Sequence, residues 1–362
     1  MKRFSEFFTS LSQTDNMFGA VVGVDIGSSS IKVVQVEQKR GTLTLSTYGE
    51  LQLGPYADKA LGRGVVLQSK DEQAALVDVI RESAVEAKDA VFAMPLSSSF
   101  VTNVSIDAEA DADLAAMVRV EARKVIPASL SEVTLDWAEV ESVKKKKDSA
   151  LETHNVLIAA IQNVALERFK VLMQFAGMKN PPTEIECFST IRSLVQAGTK
   201  SVAVIDIGAT SSKLYLIKGG QLMRMHRVRA GGMVATEAIA AELGMEFEEA
   251  EEFKQTIVRA DAQFAAVQRA HHSSYQRGLR EFKQVIAEYE RRTEQKITQV
   301  YLSGGGVIFP GTDSLVRDAL SCEVLVADPF SKVAYPAFME DTMKIIGPSF
   351  TVALGAALRQ FE

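Results

Sequence analysis

Apolar runs of five or six residues recur in two pairs along this chain. Residues 20–24 and 31–36 form one pair, residues 201–205 and 213–217 form the other, and small polar residues separate the runs within each pair. Runs of this length that are bounded by turn residues are typical of β-strands. Each pair therefore predicts a hairpin, with its tip near residues 25–30 in one case and 206–212 in the other.

The same reasoning predicts further elements in the first half of the chain. Residues 42–48 alternate and predict a third strand, and Ser69 and Glu72 have the spacing of a capping box before a helix that ends ahead of Asp89. From residue 90 the pattern predicts a small α+β insert. Its predicted strands are 90–94, 100–106, 133–140 and 155–161, and its predicted helices are 111–125 and 164–175.

The second half combines helices with a glycine loop. Gly231 and Gly232 open a predicted helix, where they could contact phosphate or form a tight turn. His271 and His272 fall between two predicted helices and are expected to be solvated loop residues. The elements predicted in this half are strands at 221–229, 297–302 and 323–326, helices at 247–257, 279–293, 313–320 and 349–359, and the loop 303–306.

The two hairpin tips repeat one sequence. VDIGSSSIKV at 24–33 and IDIGATSSKL at 205–214 align without a gap, so the chain contains an internal duplication. Glycine permits close approach of the backbone to a ligand, and successive backbone N–H groups can bind phosphate oxygens. The Asp at each strand end suits a hard cation such as magnesium, which usually keeps several waters. With the third glycine loop, the pair predicts a nucleotide clamp, although neither tip continues into the Gly-Lys-Ser/Thr of a P-loop.

Length and charge narrow the class of protein. With 362 residues, 47% of them hydrophobic, the chain can form two or three globular domains. A net charge of −6 argues against a dominant basic surface, and no nucleic-acid partner is expected. Cys187 and Cys322 fit no ligand spacing, and no apolar run approaches the roughly 20 residues of a membrane span. A cytoplasmic protein is therefore expected.

Two segments leave alternatives open. Phe4, Phe7, Phe8 and Leu11 lie on one face of a short helix predicted within residues 1–16. This segment could dock on the body, a membrane or a partner, or it could be a frayed terminus. The lysine run 144–147 fits a solvated hairpin loop better than a lipid or partner contact.

The duplicated tips resemble the phosphate loops of the actin-like ATPase superfamily, in which two related subdomains hold one nucleotide between them. Within it, the chain resembles the family of the cell-division protein FtsA and, more closely and over nearly its whole length, the family of the type IV pilus assembly protein PilM. The resemblance implies an α/β, actin-like (ribonuclease H-like) duplicated fold with an inserted α+β subdomain of the FtsA/PilM type. It is carried by GVDIGSSSIK (23–32), EARKVIP (121–127), LDW (135–137), GGMVATE (231–237), EEAEEFK (248–254) and GPSFTVALG (347–355).

The resemblance also implies a division of the chain into parts. By it, residues 89–180 would be the insert, whereas the amphipathic segment 1–16, predicted from its periodicity, departs from the family, which usually starts near the first strand. Residues 17–88 would form the first actin-like subdomain, completed by residues 181–200 and a C-terminal helix at 349–362, and residues 201–348 would form the second actin-like half.

A site for ATP or ADP with Mg²⁺ follows from the same resemblance. Asp25 and Asp206 would hold the metal through water, Asp206 would also serve catalysis, and Glu186, 20 residues before Asp206, would position the attacking water. The residues expected to contact the nucleotide are Gly27, Ser28, Ser29, Ser30, Lys32, Gly208, Ala209, Thr210, Ser211, Lys213, Gly231, Gly232, Glu251, Lys254, Gly304, Gly305 and Gly306. Among them, Glu251 and Lys254 would hold the nucleoside from one side, and the glycine loop 304–306 would pack against it from the other.

By this resemblance the chain would be a cytoplasmic ATP-binding scaffold that captures the cytoplasmic N-terminal peptide of the inner-membrane protein PilN. It would join other pilus platform proteins at the inner membrane, and whether it forms a homo-oligomer is left open. Residues 233–235 lack the Asn that is usual in the glycine-pair segment, so at most a slow ATPase is expected. The alternatives are an FtsA-like membrane-tethered filament protein, which would carry a C-terminal anchor, and a small-molecule kinase, for which the insert shows no polar constellation.

The predicted strand 100–106 and the predicted helix 111–125 of the insert each carry a row of apolar residues, and the role of these two rows is left open. A strand and a helix of the insert could present a surface for a short membrane-protein tail, or the same residues could fill the core of the insert itself. The residues concerned are Phe100, Val101, Val104, Leu114, Met117 and Val118.

Overall fold

The computed structural model describes residues 19–109, 112–144, 151–179, 183–196 and 198–362. The predicted amphipathic segment 1–16 and residues 145–147 of the lysine run lie outside these ranges. No helix among the described residues combines the length and the apolar character needed to cross a membrane.

The first sheet is built on the first hairpin. Its strands are β1 (Ala20–Ile26), β2 (Ser30–Lys39), β3 (Thr42–Gln52), β4 (Asp89–Met94) and β8 (Thr183–Ile185), in the order β3–β2–β1–β4–β8. β1 pairs antiparallel with β2 and parallel with β4. The hairpin tip therefore lies at the end of the central strand, and the predicted turn at 25–30 is confirmed.

The second sheet repeats this arrangement. Its strands are β9 (Val202–Ile207), β10 (Ser212–Lys218), β11 (Gln221–Val228), β12 (Gln299–Ser303) and β13 (Glu323–Val326), in the order β11–β10–β9–β12–β13. In both sheets an antiparallel hairpin continues into parallel strands. The duplication seen in the sequence is thus a duplication of a five-stranded topology.

The insert forms a third, three-stranded sheet. Its strands are β5 (Ser99–Glu109), β6 (Val133–Lys144) and β7 (Leu151–Gln162), in the order β5–β7–β6, and α2 (Leu114–Val125) packs on it. Val118 of α2 and Ile158 of β7 are buried in its core. Asn103 of β5 donates a hydrogen bond to the carbonyl of Leu222 at 3.1 Å, which ties the insert to β11 of the second sheet.

Two elements that the sequence placed in the insert pack elsewhere. β4 pairs with β1 in the first sheet rather than with the insert strands. The helix α3 (Asn163–Phe175) packs on that sheet, where the Phe169 ring lies edge-on to Phe92 with 6.0 Å between centroids. Both elements are next to the insert in sequence. Their positions are decided by tertiary contacts, namely strand pairing for β4 and side-chain packing for α3. The exact division of the chain into domains stays a prediction.

The helices of the first half cover its sheet on both faces. They are α1 (Ser69–Glu82), α4 (Glu186–Leu194) and α9 (Glu340–Leu358). The predicted capping box at Ser69 is wrong, because Gln68 is the N-cap and makes no side-chain cap bond. Glu72 is instead buried and accepts a 2.7 Å hydrogen bond from Arg168 of α3.

The C-terminal helix α9 begins nine residues before its predicted start at 349, and it contains Pro348. Burial of Met343 and Phe350 on either side of the proline compensates for the backbone bond that proline cannot make. Glycine allows α9 to approach its neighbours closely, since a Cβ on Gly23 would lie 1.9 Å from the Ala353 carbonyl oxygen.

The second half carries α5 (Gly232–Leu243), α6 (Phe247–Thr256), α7 (Phe264–Thr293) and α8 (Thr312–Leu320). The sequence predicted only the latter part of α7, from residue 279. Gly278 weakens the helical pattern there, but a Cβ at Gly278 would lie 3.0 Å from a methyl carbon of Val228, so the glycine serves close packing on β11.

Candidate functional site

A cleft of about 490 Å³ opens where the two hairpin tips face each other. Volumes of roughly 300–1,000 Å³ are usual for small-molecule sites. The tips meet directly across the cleft, because the hydroxyls of Ser28 and Thr210 are 3.1 Å apart. The site is thus shared equally by the two copies of the duplicated sequence.

Nearly all residues predicted to bind nucleotide or metal line this one cleft. They are Asp25, Gly27, Ser28, Ser29, Ser30, Lys32, Glu186, Asp206, Gly208, Ala209, Thr210, Ser211, Lys213, Gly232, Glu251, Lys254, Gly304, Gly305 and Gly306. Gly231 is the exception, because it is buried beneath the second tip, where a Cβ would lie 2.5 Å from the Ala209 carbonyl oxygen. Its role is to let α5 approach the tip rather than to line the cleft.

Both tips close with the same hydrogen bond. The Gly27 N–H donates to the Ser30 carbonyl at 2.9 Å, and the Gly208 N–H donates to the Ser211 carbonyl at 3.0 Å. Behind the second tip, the N–H of Met233 at the start of α5 donates to the Ala209 carbonyl at 2.8 Å. Small residues in such turns present backbone N–H groups that suit phosphate oxygens.

The glycine loop 303–306 forms a third side of the cleft. Gly304 has φ +88°, and a Cβ there would lie 2.5 Å from an Asp206 carboxylate oxygen. The Gly304 N–H donates to the Pro348 carbonyl at 2.7 Å, so the loop is held by α9. A side chain at this position would push directly against the carboxylate predicted to organise the metal.

A buried cluster of charges occupies the floor of the cleft. The Lys213 ammonium donates to Glu186 at 2.6 Å and to Asp206 at 3.0 Å. Burial acts to lower the pKa of Lys213, but the charges of Asp206 and Glu186 outweigh it and raise that pKa above its usual value. The Leu96 N–H donates to the other Glu186 oxygen at 2.7 Å. Glu186 is therefore held rigidly, with one oxygen on a backbone donor and one on an ammonium.

Asp25 lies in the same cluster, but the positive charges near it do not offset the effect of burial on its carboxylate. Burial is the main cause that raises the pKa of Asp25 to about 6, Lys32 opposes it, and the carboxylate of Glu186 adds to it. Lys32 is shared with Glu50, whose carboxylate lies 3.0 Å from its ammonium. The cluster thus holds more carboxylates than ammonium groups, which favours a bound cation.

The part of the chain that the structure describes contains no set of three or more His, Cys, Asp or Glu side chains able to bind a metal ion directly.

A second polar cluster lies on the α5–α6 side of the cleft. Lys254 donates to Glu251 at 2.7 Å and to the Thr236 hydroxyl at 2.7 Å, and Gln255 donates to the second Glu251 oxygen at 2.7 Å. Burial lowers the pKa of Lys254, and the charge of Glu251 partly offsets this. The structure thus brings Glu251 and Lys254 together at the cleft, and the nucleoside contact that the resemblance implies for them stays a prediction.

Several cleft residues were missed from the sequence. His271 and Tyr275 line the cleft from α7, so the expectation of a solvated loop for His271 is wrong. The His271 ring stacks on Phe309, with 3.9 Å between centroids. The spacing of His271, Tyr275, Leu279 and Phe282 continues one helical face toward the N-terminus. That spacing could have predicted the N-terminal part of α7. It was overlooked because His271 and Tyr275 are polar and do not extend the apolar pattern.

A loop of the first half crosses the mouth of the cleft. Within residues 58–68, a Cβ at Gly62 would lie 2.5 Å from the Glu251 carboxylate carbon, and the Arg63 guanidinium lies 3.8 Å from the centre of the Phe247 ring. The Val65 N–H donates to the Ser28 carbonyl at 2.9 Å. This segment, called the strap below, links the first tip to α6 of the second half.

The apolar rows of the insert divide between two destinations. Val118 is buried in the core of the insert, and Val101 is buried against the core beneath the first sheet. The remaining four are only partly buried and pack against the insert core: Phe100, Val104, Leu114 and Met117. Of the two roles left open, core packing therefore applies to Val101 and Val118, while a contact of the four partly buried side chains with a partner stays a prediction.

The fold and the cleft define an actin-like protein. Among solved structures, the chain is similar to the ethanolamine utilization protein EutJ from Carboxydothermus hydrogenoformans, with 17% identity, a TM-score of 0.55, and coverage of 94% of this chain and 89% of that one. It is also similar to MreB5 of Spiroplasma citri bound to ADP, with 11% identity, a TM-score of 0.51, and coverage of 94% and 95%. The predicted actin-like fold is confirmed.

The family follows from a match to a family model, and one more solved structure has a similar fold. The family model described as type IV pilus assembly protein PilM matches residues 23–361, and the chain belongs to this family. A structure titled "PilM-PilN type IV pilus biogenesis complex" resembles the chain with 24% identity and a TM-score of 0.78, covering 94% of this chain and 98% of that one. The resemblance drawn from the sequence segments is confirmed.

Proposed function

We propose that the chain is an ATP-binding scaffold of the type IV pilus assembly platform. The observation that carries the proposal is the meeting of two copies of one phosphate-loop sequence across a single cleft, with the hydroxyls of Ser28 and Thr210 3.1 Å apart. Two such tips can hold the phosphates of one nucleotide from both sides. Membership of the PilM family supplies the biological setting.

The residues present fit a magnesium ion held through water. The carboxylates of Asp25 and Asp206 lie in a cluster where negative charge exceeds positive charge, and burial with neighbouring acids raises the pKa of Asp25 to about 6. Mg²⁺ keeps several waters and binds through one or two carboxylates together with phosphate oxygens. The bound ion would neutralise charge on the phosphates, while Gly208 and Gly27 let the backbone approach them.

Hydrolysis is proposed to be slow. Glu186 is anchored by the Leu96 N–H and the Lys213 ammonium, so it can orient a water, but phosphoryl transfer usually needs several aligned groups. We expect turnover far below the enzyme median of about 10 per second. A turnover near that median in the isolated protein would contradict the scaffold proposal.

The nucleotide site is tested by binding of a fluorescent ATP analogue with magnesium. Asp206→Ala and Asp25→Ala remove carboxylates from the cleft, and Gly208→Val adds bulk where a Cβ alone would lie 3.2 Å from the Ser211 carbonyl oxygen. We expect each to weaken binding at least tenfold, whereas the control Gly19→Val, with nothing within 4 Å of its Cβ, leaves binding unchanged. Wild-type affinity in all three cleft variants would refute the site.

The proposed partner is the cytoplasmic N-terminal peptide of PilN, which would bring the protein to the inner membrane from the cytoplasm. The support is the family and the similarity to a solved PilM–PilN complex. The partly buried side chains of Phe100 and Leu114 leave apolar surface on the insert that can accept such a peptide.

Calorimetric titration with a synthetic PilN N-terminal peptide tests this partner. Binding should weaken in Phe100→Ser and Leu114→Ser but persist in Val164→Ser, a control for an exposed valine on α3. Absence of binding to the wild type, with and without nucleotide, would remove the PilN assignment and leave the fold intact. Binding that survives both insert substitutions would place the peptide elsewhere.

A further inference from the structure

Two buried polar atoms, on residues that line the cleft, have no hydrogen-bond partner among the described residues. They are the His271 Nδ1 and the Tyr275 hydroxyl, on side chains that are 1% and 4% exposed. Buried polar groups are nearly always paired, and at the wall of a cleft a bound ligand can supply the missing partner. The residues are four apart on α7 and therefore lie on one face of the helix.

Both side chains are held in place by packing. The His271 ring stacks on Phe309 with 3.9 Å between centroids, and it lies 5.0 Å from the Tyr275 ring. Groups fixed in this way lose little conformational freedom when a ligand binds. The wall of the cleft at α7 is thus rigid and carries unused hydrogen-bonding capacity.

The neighbouring charged groups are already paired with one another. Glu251 accepts from Lys254 through one oxygen and from Gln255 through the other. His271 is neutral, because burial, together with the charges of His272 and Lys254, lowers its pKa to about 3. A neutral imidazole offers one donor and one acceptor, and a tyrosine hydroxyl offers both. This pair suits a neutral polar group and not a phosphate.

The chemistry of the cleft therefore changes from one wall to another. The tips with Gly27 and Gly208 suit phosphate, whereas the wall at α7 combines neutral polar atoms with apolar side chains of Ile257, Ile308 and Phe309. An apolar surface with a few hydrogen-bonding atoms is the environment that a base and ribose require.

We propose that His271 and Tyr275 hydrogen-bond the nucleoside part of the bound nucleotide and make the site select nucleotides over inorganic polyphosphate. The inference rests on the proposed nucleotide binding and adds two residues of α7 to those expected to contact the nucleoside. Discrimination comes from buried polar atoms that stay unpaired when the ligand lacks the nucleoside.

Conservative substitutions on α7 test this assignment. Tyr275→Phe removes only the hydroxyl, and His271→Phe keeps an aromatic ring against Phe309. The matched control is Tyr289→Phe, since Tyr289 lies on the same helix with a buried, unpaired hydroxyl but packs in the core of the second sheet and does not line the cleft. Affinity for ATP, ADP and tripolyphosphate is measured by calorimetry, and thermal melting reports folding.

We expect Tyr275→Phe and His271→Phe to weaken ATP and ADP about five- to tenfold each, with tripolyphosphate unchanged and Tyr289→Phe equal to wild type. Equal nucleotide affinity in Tyr275→Phe, His271→Phe and Tyr289→Phe would overturn the inference while leaving nucleotide binding intact. An equal loss of tripolyphosphate binding would also overturn it, because the effect would then be on the whole cleft. A wild type that binds neither ATP nor ADP would instead refute the proposed function itself.

Discussion

Replacing Lys213 with methionine should destabilise the fold in a pH-dependent way. The Lys213 side chain is 14% exposed and bridges Glu186 and Asp206, whose side chains are each 8% exposed. Removing one partner of a buried ion pair costs about 3–5 kcal/mol, because the remaining charge stays buried and unpaired. This is a large part of the roughly 5–15 kcal/mol that stabilises a typical domain.

Protonation sets the pH dependence of that loss. In Lys213→Met a carboxylate can escape its unpaired charge by binding a proton, so its folded pKa rises above its unfolded value. Taking up that proton at pH 7 costs about 3.7 kcal/mol for a carboxyl with an unfolded pKa near 4.3, but only about 1 kcal/mol at pH 5. A raised folded pKa means that stability is retained at low pH and lost as pH increases. The loss should therefore shrink to about 1–2 kcal/mol at pH 5.

Urea unfolding without nucleotide measures this, at pH 7.5 and pH 5. Lys170→Met is the control, because Lys170 is exposed and its pair with Glu167 lies on the surface of α3, where such pairs are worth about 0–1 kcal/mol. Adding Glu186→Gln to Lys213→Met should recover part of the stability, since one unpaired charge is removed. A loss in Lys213→Met below about 1 kcal/mol at pH 7.5, or one equal at both pH values, would refute the electrostatic reasoning.

Three further outcomes follow from the geometry. Because the pKa of Asp25 is raised from 3.8 to about 6, the wild-type free energy of unfolding should fall by about 3 kcal/mol as the pH rises from about 4 to above 6. Asp25→Asn should abolish this fall in denaturant titrations without metal. Arg63→Ala should release a fluorescent nucleotide about two- to fivefold faster in stopped-flow measurements, because it removes the cation–π contact of the strap with Phe247, and Arg63→Lys should change the rate less. Gly355→Ala should lower the free energy of unfolding by about 1–3 kcal/mol or more, because its Cβ would lie 1.9 Å from the Ser189 carbonyl oxygen, whereas Gly19→Ala should have no comparable effect.

The parts of the cleft that the sequence predicted are those determined locally. The two tips could be predicted because a turn after an apolar strand requires glycine and small residues within a few positions. The same turn sequence also occurs twice in the chain. The tips face one another, as the duplication suggested, with Ser28 near Thr210. The pairing of Glu251 with Lys254 was likewise within reach, since both lie on one short helix.

Other elements were misread because their local pattern is compatible with more than one partner. β4 has the same apolar character in the first sheet as it would have in the insert, and its parallel pairing with β1 is a contact between distant residues. Helix α9 passes through Pro348 because packing on both sides outweighs the local cost of the proline. For Gly231 the sequence left a phosphate contact and a tight turn equally open, and its closeness to Ala209 gives a packing reason for a glycine there.

The sequence by itself determined the two duplicated hairpin tips, because these depend on short-range turn chemistry and on apolar periodicity. Its resemblance to known families indicated the actin-like fold and the PilM family, while phosphate binding by the tips stays a prediction. Only the tertiary structure decided which side chains complete the cleft. His271 and Tyr275 reach it because α7 packs along the second sheet and buries the helical face that carries them. Burial of that kind arises from contacts between residues far apart in sequence. The spacing of His271 and Tyr275 indicates one face of a helix, but it does not indicate that this face reaches the cleft.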